Sequence, residues 1–190
     1  LGFLTLGELE YYVIAPAEKA YPGLDQKGYH ASEPFAKYEF LRKEALLMLA
    51  RAGGQIKYGH SEVGCFTDGE TYYEQHEIEF LPTPPEQAAE QMILAKWFLR
   101  MLGYKYGVDI SFAPKITVGK AGSGMHFHMM VTRDGQNITA SNGSISDTAR
   151  KMIAGILEAA DALTAFGNTI PTSYLRLVPH QEAPTNICWG

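Results

Sequence analysis

Apolar and polar positions change rhythm along this chain, and the changes separate strands from helices. From Gly2 to Ile14 (GFLTLGELEYYVI) Phe, Leu, Tyr and Val are dense, which predicts a strand. Residues 15–31 carry Pro, Gly and Tyr without a period and read as a loop. From Pro34 on, apolar residues fall at 35, 38, 41, 45, 46 and 49, the spacing of one helix face, and Gly53-Gly54 closes that helix. A strand is expected over 55–63, a loop through Asp68-Gly69, and a second strand over 74–81. Thr83 with Pro84 and Pro85 opens a long helix over 85–105, with Thr as cap and Pro in the first turn. Residues 109–118 read as a strand, 119–124 as a glycine-bearing turn, and 125–133 as a strand ending at the hairpin signal Asp134-Gly135. A third helix is expected over 146–166, and loop or short strand from Pro171 on. Strands in hairpin-like groups between long helices predict an α+β fold, a largely antiparallel β-sheet packed with long α-helices.

Composition narrows the class. Apolar residues make up 46% and charged residues 19% of 190, which suits one folded domain and excludes disorder. A net charge of -5 lacks the basic stripe of a nucleic-acid binder and fits a protein that handles small molecules. No apolar run is long enough to span a bilayer. Residues 1–14 lack a basic n-region and contain Glu8 and Glu10, so they do not read as a signal peptide. Cys65 and Cys188 are too few for a disulfide framework, and reduced thiols in the cytoplasm are expected. Leu1 at one end, and Trp189-Gly190 directly after an apolar run at the other, read as cuts inside a longer protein.

Candidate chemistry sits on the strands. Glu8 and Glu10 are two residues apart and so share a face, about 7 Å apart at roughly 3.3 Å per residue. Two like charges there require a cation, unless the strand is a solvated edge. His126 and His128, in GMHFHMMV, share a face while Phe127, Met129 and Val131 take the other. One core histidine is usually a satisfied polar group; two side by side after a glycine turn suit a metal or a phosphate. Glu62, in HSEVG, falls at a strand end; Glu77, in EQHEIEF, lies inside a strand, with Glu79 on its face but nearer the end. Each alone is compatible with surface charge. Together, isolated carboxylates in apolar strands plus histidine suit Mg²⁺ or Mn²⁺ and not structural zinc. Arg176, in SYLRLVPHQEAP, is expected in a short apolar strand, where a buried guanidinium needs an anion. Glu182 lies in a loop between Pro179 and Pro184, where a carboxylate is ordinarily solvated. The turn GKAGSG lets backbone approach a ligand closely, but it is no P-loop. Residues alone thus reach a Mg²⁺ or Mn²⁺ site on a sheet, handling phosphate.

Five motifs then resemble the glutamine synthetase family, in that family's order and over essentially the whole chain. GELEYYV resembles its E-x-E strand, and SFAPKITVGKAGSGMHFHM its ATP-site signature with G-S-G-M-H-x-H. HSEV and QHEIEF resemble its two further glutamate motifs, and TSYLRLVPHQEAP its N-S-Y-K-R-L-V-P-x-x-E-A-P segment. The resemblance implies ATP-dependent condensation of glutamate with ammonia through γ-glutamyl phosphate, with two divalent ions. By that resemblance Glu10, Glu62 and Glu77 hold the ion on the glutamate side, and Glu8 and His126 the ion on the nucleotide side. His128 lies near the ATP phosphates, Gly122 takes the glutamate amino group through its backbone, and Arg176 binds the glutamate carboxylate. Glu182 sits on a mobile flap and accepts a proton from ammonium. The family also implies a homo-oligomer in the intact protein.

The departures are specific. GCFTDGETYYE, between Glu62 and Glu77, is longer than the usual link and is expected to reshape the loop beside the site and the substrate entrance. Ala121, Met130 and Thr172 replace a common Asn, a nucleotide-contacting Ser and an Asn. Nothing matches the family's N-terminal β-grasp domain, and its later arginines and a third nucleotide-side ligand fall beyond Gly190. Residues 1–190 are therefore expected to be a partial catalytic domain, incompetent alone. The competing readings are a γ-glutamyl-amine or polyamine ligase of the same family, a non-enzymatic metal-binding relative, and a cupin-like oxygenase. The last is disfavoured because MMVTRDGQN, after the histidine pair, holds no Glu.

Overall fold

Strand β1 (Gly2–Pro16) organises the molecule, because both of its edges and both of its faces are used. The structure, a computed structural model, describes residues 1–178. After β1 come α1 (Glu39–Arg51), β2 (Ile56–Asp68), β3 (Thr71–Phe80), α2 (Pro85–Tyr106), β4 (Asp109–Ser111) and β5 (Met125–Arg133). The short strands β6 (Gln136–Asn137), β7 (Ala140–Ser141) and β8 (Ser144–Ile145) follow, then α3 (Asp147–Glu158), α4 (Ala160–Gly167) and a 3₁₀ turn (Pro171–Arg176). The main sheet runs β2-β3-β1-β5-β6, with β4 also on β1, and every pairing is antiparallel. This is the expected α+β class.

Alternation along β1 sorts its side chains. Leu9, Tyr11 and Val13 face α1 and α2, where they join Leu41, Leu49, Ile78, Phe80 and Leu99 in one core. Glu8, Glu10 and Tyr12 take the other face, as the period of two requires. Helix α1 starts later than the pattern from Pro34 suggests. The N–H groups of Lys37 and Tyr38 donate to the Glu74 carboxylate at 2.8 Å each, so β3 supplies the acceptors that seat the helix start. Thr83 does not cap α2; its backbone bridges Thr5, and Pro84 precedes the first turn.

Four further expectations are corrected. Residues 64–74 are not a loop but the body of the β2–β3 hairpin, with Phe66 stacked on Tyr73 at 4.4 Å between ring centroids. Its turn, at Gly69, lies about 20 Å from Glu10 along β1, at roughly 3.3 Å per residue. The turn itself therefore stands away from the site, while Cys65, Tyr72 and Glu74 at the base of the hairpin line a neighbouring cavity. Strand β4 has three residues instead of the ten expected over 109–118, because β5 occupies the same edge of β1 from Gly2 to Leu9. Pro114, with no N–H, suits the turn that leads away. The helix over 146–166 is broken at Ala159 into α3 and α4, for which the side chains offer no reason. Arg176 lies on the 3₁₀ turn and is only partly buried, not in a buried strand. The Asp134-Gly135 hairpin is present, with φ of 50° and 77°. Among the described residues no helix is long and apolar enough to cross a membrane. Glu182 and Cys188 lie outside the described residues, and Cys65 is buried and free.

Candidate metal centre

Three neighbouring strands, β3, β1 and β5, deliver three carboxylates and a histidine in register. Glu10 of β1 stands opposite Glu77 of β3, and Glu8 stands opposite His126 of β5. Glu62 arrives by a different route. Ser61 pairs with His76 and Cys65 with Glu74, so residues 62–64 of β2 oppose Gln75 alone. That bulge re-aims the side chain of Glu62. It is held by the Gly64 N–H, which donates to Gln75 Oε1 at 2.9 Å. A Cβ on Gly64 would meet the Tyr12 hydroxyl at 1.9 Å, so only glycine permits this approach.

The side chains converge on a cavity of about 320 Å³ whose walls include Glu8, Glu10, Glu62, Glu77, Gly122 and His126. Among the described residues two overlapping groups place ligand atoms within 4.8 Å of one another: Glu8, Glu77 and His126, and His60, Glu62 and Glu77. Glu77 belongs to both. His60 Nε2 lies 3.0 Å from Glu62 Oε1 and 3.3 Å from Glu77 Oε2. Both members of the histidine pair meet Glu8, His126 Nδ1 at 3.0 Å and His128 Nε2 at 2.7 Å. Arg176 Nη2 approaches His126 Nε2 at 3.3 Å. Glu10 turns Oε2 to the Gly124 N–H, at 2.8 Å, and Oε1 toward His126, at 3.7 Å. Glu79 is drawn away by Lys57 at 2.6 Å and joins neither group of candidate ligands.

Of the residues singled out from sequence, Glu8, Glu10, Glu62, Glu77, Gly122, His126, His128 and Arg176 come together; Glu182 is outside the described range. His60, Gln75 and Tyr29 line or brace the site and were missed. A signal existed for His60, two residues before Glu62 on one strand; for the bulge only Gly64 hinted.

The electrostatics test the fit to a cation. Burial, and then the charges of Glu10, Glu62, Glu8 and Glu79, push Glu77 up to about 9. Burial also raises Glu10, against the Gly124 N–H and His126. Burial would raise Glu62 as well, but hydrogen bonds from His60 and the Val63 N–H hold it below its ordinary value. Crowded carboxylates with one imidazole in each group make an oxygen-rich donor set that fits Mg²⁺ or Mn²⁺.

A pH dependence follows for the metal-free protein. A carboxyl whose folded pKa is raised contributes stability that is full below its unfolded pKa, near 4.5, and is lost as pH rises through about 9. His76, whose folded pKa is lowered by burial, acts the other way, but only below its ordinary 6.5. Between pH 7 and 9, melting in excess chelator is therefore expected to shift to lower temperature, and saturating Mn²⁺ to flatten that slope. A slope that Mn²⁺ leaves unchanged refutes the assignment.

Comparison with known proteins gives a consistent picture. The family described as "Glutamine synthetase, catalytic domain" matches residues 5–190. A glutamine synthetase of Thermus thermophilus is 34% identical over 199 aligned positions, which take in 100% of this chain and 43% of that protein. One of Mycolicibacterium smegmatis is 35% identical over 177 positions, 92% of this chain and 36% of that protein. Among solved structures, a Plasmodium falciparum glutamine synthetase superposes with a TM-score of 0.81 at 19% identity, covering 94% of this chain and 40% of that one. A chain described as a GmaS/ADP complex superposes with a TM-score of 0.76 at 20% identity, over 98% of this chain and 42% of that one. These two show likeness of fold. The chain spans less than half the length of the curated relatives it matches.

Proposed function

This chain belongs to the glutamine synthetase family, and from that premise we propose that the full-length protein is an ATP-dependent ligase that makes glutamine from glutamate and ammonia. The convergence of Glu8, Glu10, Glu62, Glu77 and His126 on one cavity beside the glycine turn carries this reading. Glu10, Glu62 and Glu77 would hold one Mg²⁺ or Mn²⁺, and Glu8 with His126 a second. Such ions neutralise phosphate charge and orient the reacting oxygens. The glutamate γ-carboxylate oxygen attacks the γ-phosphorus of ATP and releases ADP. Ammonia nitrogen then attacks the acyl carbon, releasing phosphate.

The chain's own residues would bind and orient. Arg176, beside Gly122 and Gly124, offers its guanidinium to the substrate carboxylate. Gly122 borders the cavity with its backbone and suits the amino group. His128, bound to Glu8 and largely exposed, faces incoming phosphate. Glu182 is proposed as the acceptor of the ammonium proton. A homo-oligomer and a cytoplasmic location are expected of the full-length protein.

A second reading has one observation in its favour. A cavity of about 530 Å³ between the 22–36 segment and the β2–β3 hairpin shares Glu62 and Gln75 with the metal cavity, and gives room for an organic amine in place of ammonia. The test is ADP release by the full-length protein with glutamate and Mg²⁺ or Mn²⁺. Turnover with ammonium supports glutamine synthesis, turnover only with an amine transfers the same metal residues to a γ-glutamyl-amine ligase, and no turnover with any acceptor sinks both.

A further inference from the structure

Gln75 is 1% exposed, neither titrates nor carries charge, and yet bonds to Glu10, to the bulge at Gly64 and to the glycine turn. Its Oε1 accepts from the Gly64 N–H, which fixes the bulge that aims Glu62. Its Nε2 lies 3.1 Å from Glu10 Oε2, 3.0 Å from the Gly122 carbonyl and 3.3 Å from Ser123 Oγ. One side chain therefore joins three segments far apart in sequence: β1, the bulge of β2, and the glycine turn.

The count of hydrogens matters. A primary amide has two N–H groups, and here three acceptors surround them. While Glu10 takes one of these hydrogens, Gly122 and Ser123 share the other. Glu10 Oε2 is already tied to the turn through the Gly124 N–H, which leaves Oε1 for a cation. A cation that draws on Glu10 thus redistributes the amide hydrogens toward the turn. A ligand on the Gly122 carbonyl returns them toward Glu10. In a buried site such shared hydrogen bonds are felt strongly, since no water replaces what is lost.

We infer that Gln75 is a positioning residue that couples cation binding at Glu10, Glu62 and Glu77 to occupation of the Gly122 turn by the amino-acid substrate. This rests on the proposed function for the identity of that substrate. A purely structural glutamine would stiffen the fold without linking the two ligands. The linkage is reciprocal, so each ligand must change the affinity of the other by the same factor.

The experiment measures four affinities by calorimetry on the full-length protein: Mn²⁺ without and with saturating glutamate, and glutamate without and with saturating Mn²⁺. The wild type is expected to show coupling of about fivefold or more. Gln75→Met, which keeps the length and removes every side-chain hydrogen bond, is expected to lower that factor clearly, down to what direct attraction between ion and substrate supplies. Should it not fold, Gln75→Glu carries the test: it keeps an acceptor for Gly64 and, protonated beside Glu10, offers one donor where the amide offers two. Retention of the wild-type factor in either folded variant overturns the inference, as does a wild type that binds both ligands independently. A wild type that binds Mn²⁺ and not glutamate overturns the proposed substrate and, with it, the coupling.

Discussion

Glu77→Gln is expected to weaken Mn²⁺ binding by the full-length protein about 100-fold or more while raising the melting temperature of the metal-free form. The two effects have one origin. Glu77 is buried opposite Glu10, and its raised pKa reports the cost of ionising it beside Glu10, Glu62 and Glu8 without a cation. An amide of the same shape removes that cost. It also removes the one carboxylate common to both groups of candidate ligands. Loss of a mere orienting partner costs a metal site about 10–100-fold, so loss of a shared ligand sits at or beyond the upper end. Function held against stability in this way is common at active sites. His60 still finds an acceptor in the amide oxygen and in Glu62, so the fold has no reason to open. Titration with Mn²⁺ and a melt in chelator read both arms. Wild-type affinity in the variant would mean that Glu8, Glu10, Glu62 and the histidines hold the ion without it.

What could be read along the chain was whatever depends on local period. Glu8 with Glu10, and His126 with His128, share faces because side chains alternate on a strand. The end of α1 at Gly53-Gly54 and the start of α2 at Pro85 were legible for a similar reason, since glycine and proline act within one turn. Distant partners decided the rest. Lys37 and Tyr38 look like helix interior until Glu74, on a strand far along the chain, claims their N–H groups. The stretch from Gly64 to Glu74 looks like a linker because it is polar at Thr67, Asp68 and Glu70; pairing across the hairpin makes it strand. Strand β4 is short because β5, which lies further along the chain, takes the same edge of β1. Most of the candidate ligands were therefore visible, but the route of Glu62 was not. A bulge has no period, and its determinant is a hydrogen bond to Gln75. His60 was overlooked because a histidine before a glutamate reads as ordinary polar strand; only the bulge brings its Nε2 between two carboxylates.

Two glycines two residues apart are expected to separate activity from folding. A Cβ on Gly124 would stand 2.5 Å from His126 Nε2 and 2.6 Å from Arg176 Nη2. Both atoms are at the ends of side chains, so the fold can yield by moving them. Gly124 is not among the glycines with positive φ, so alanine meets no backbone objection. Gly124→Ala should therefore melt within about 2 °C of wild type, a loss of no more than roughly 1 kcal/mol. Its activity should suffer far more. Moving His126 off Glu8, and Arg176 off the turn, displaces groups proposed to bind ion and substrate, and a shift of about 1 Å at such a site can cost 100-fold in rate. A Cβ on Gly122 instead meets the Pro114 carbonyl at 2.5 Å, and that atom is backbone. Gly122→Ala should lower the melting temperature clearly as well as the rate. Calorimetry and ADP release on the two variants in parallel decide the matter. If Gly124→Ala keeps wild-type turnover, His126 and Arg176 do not need the positions they hold here; if it melts as low as Gly122→Ala, the turn is a structural element before it is a functional one.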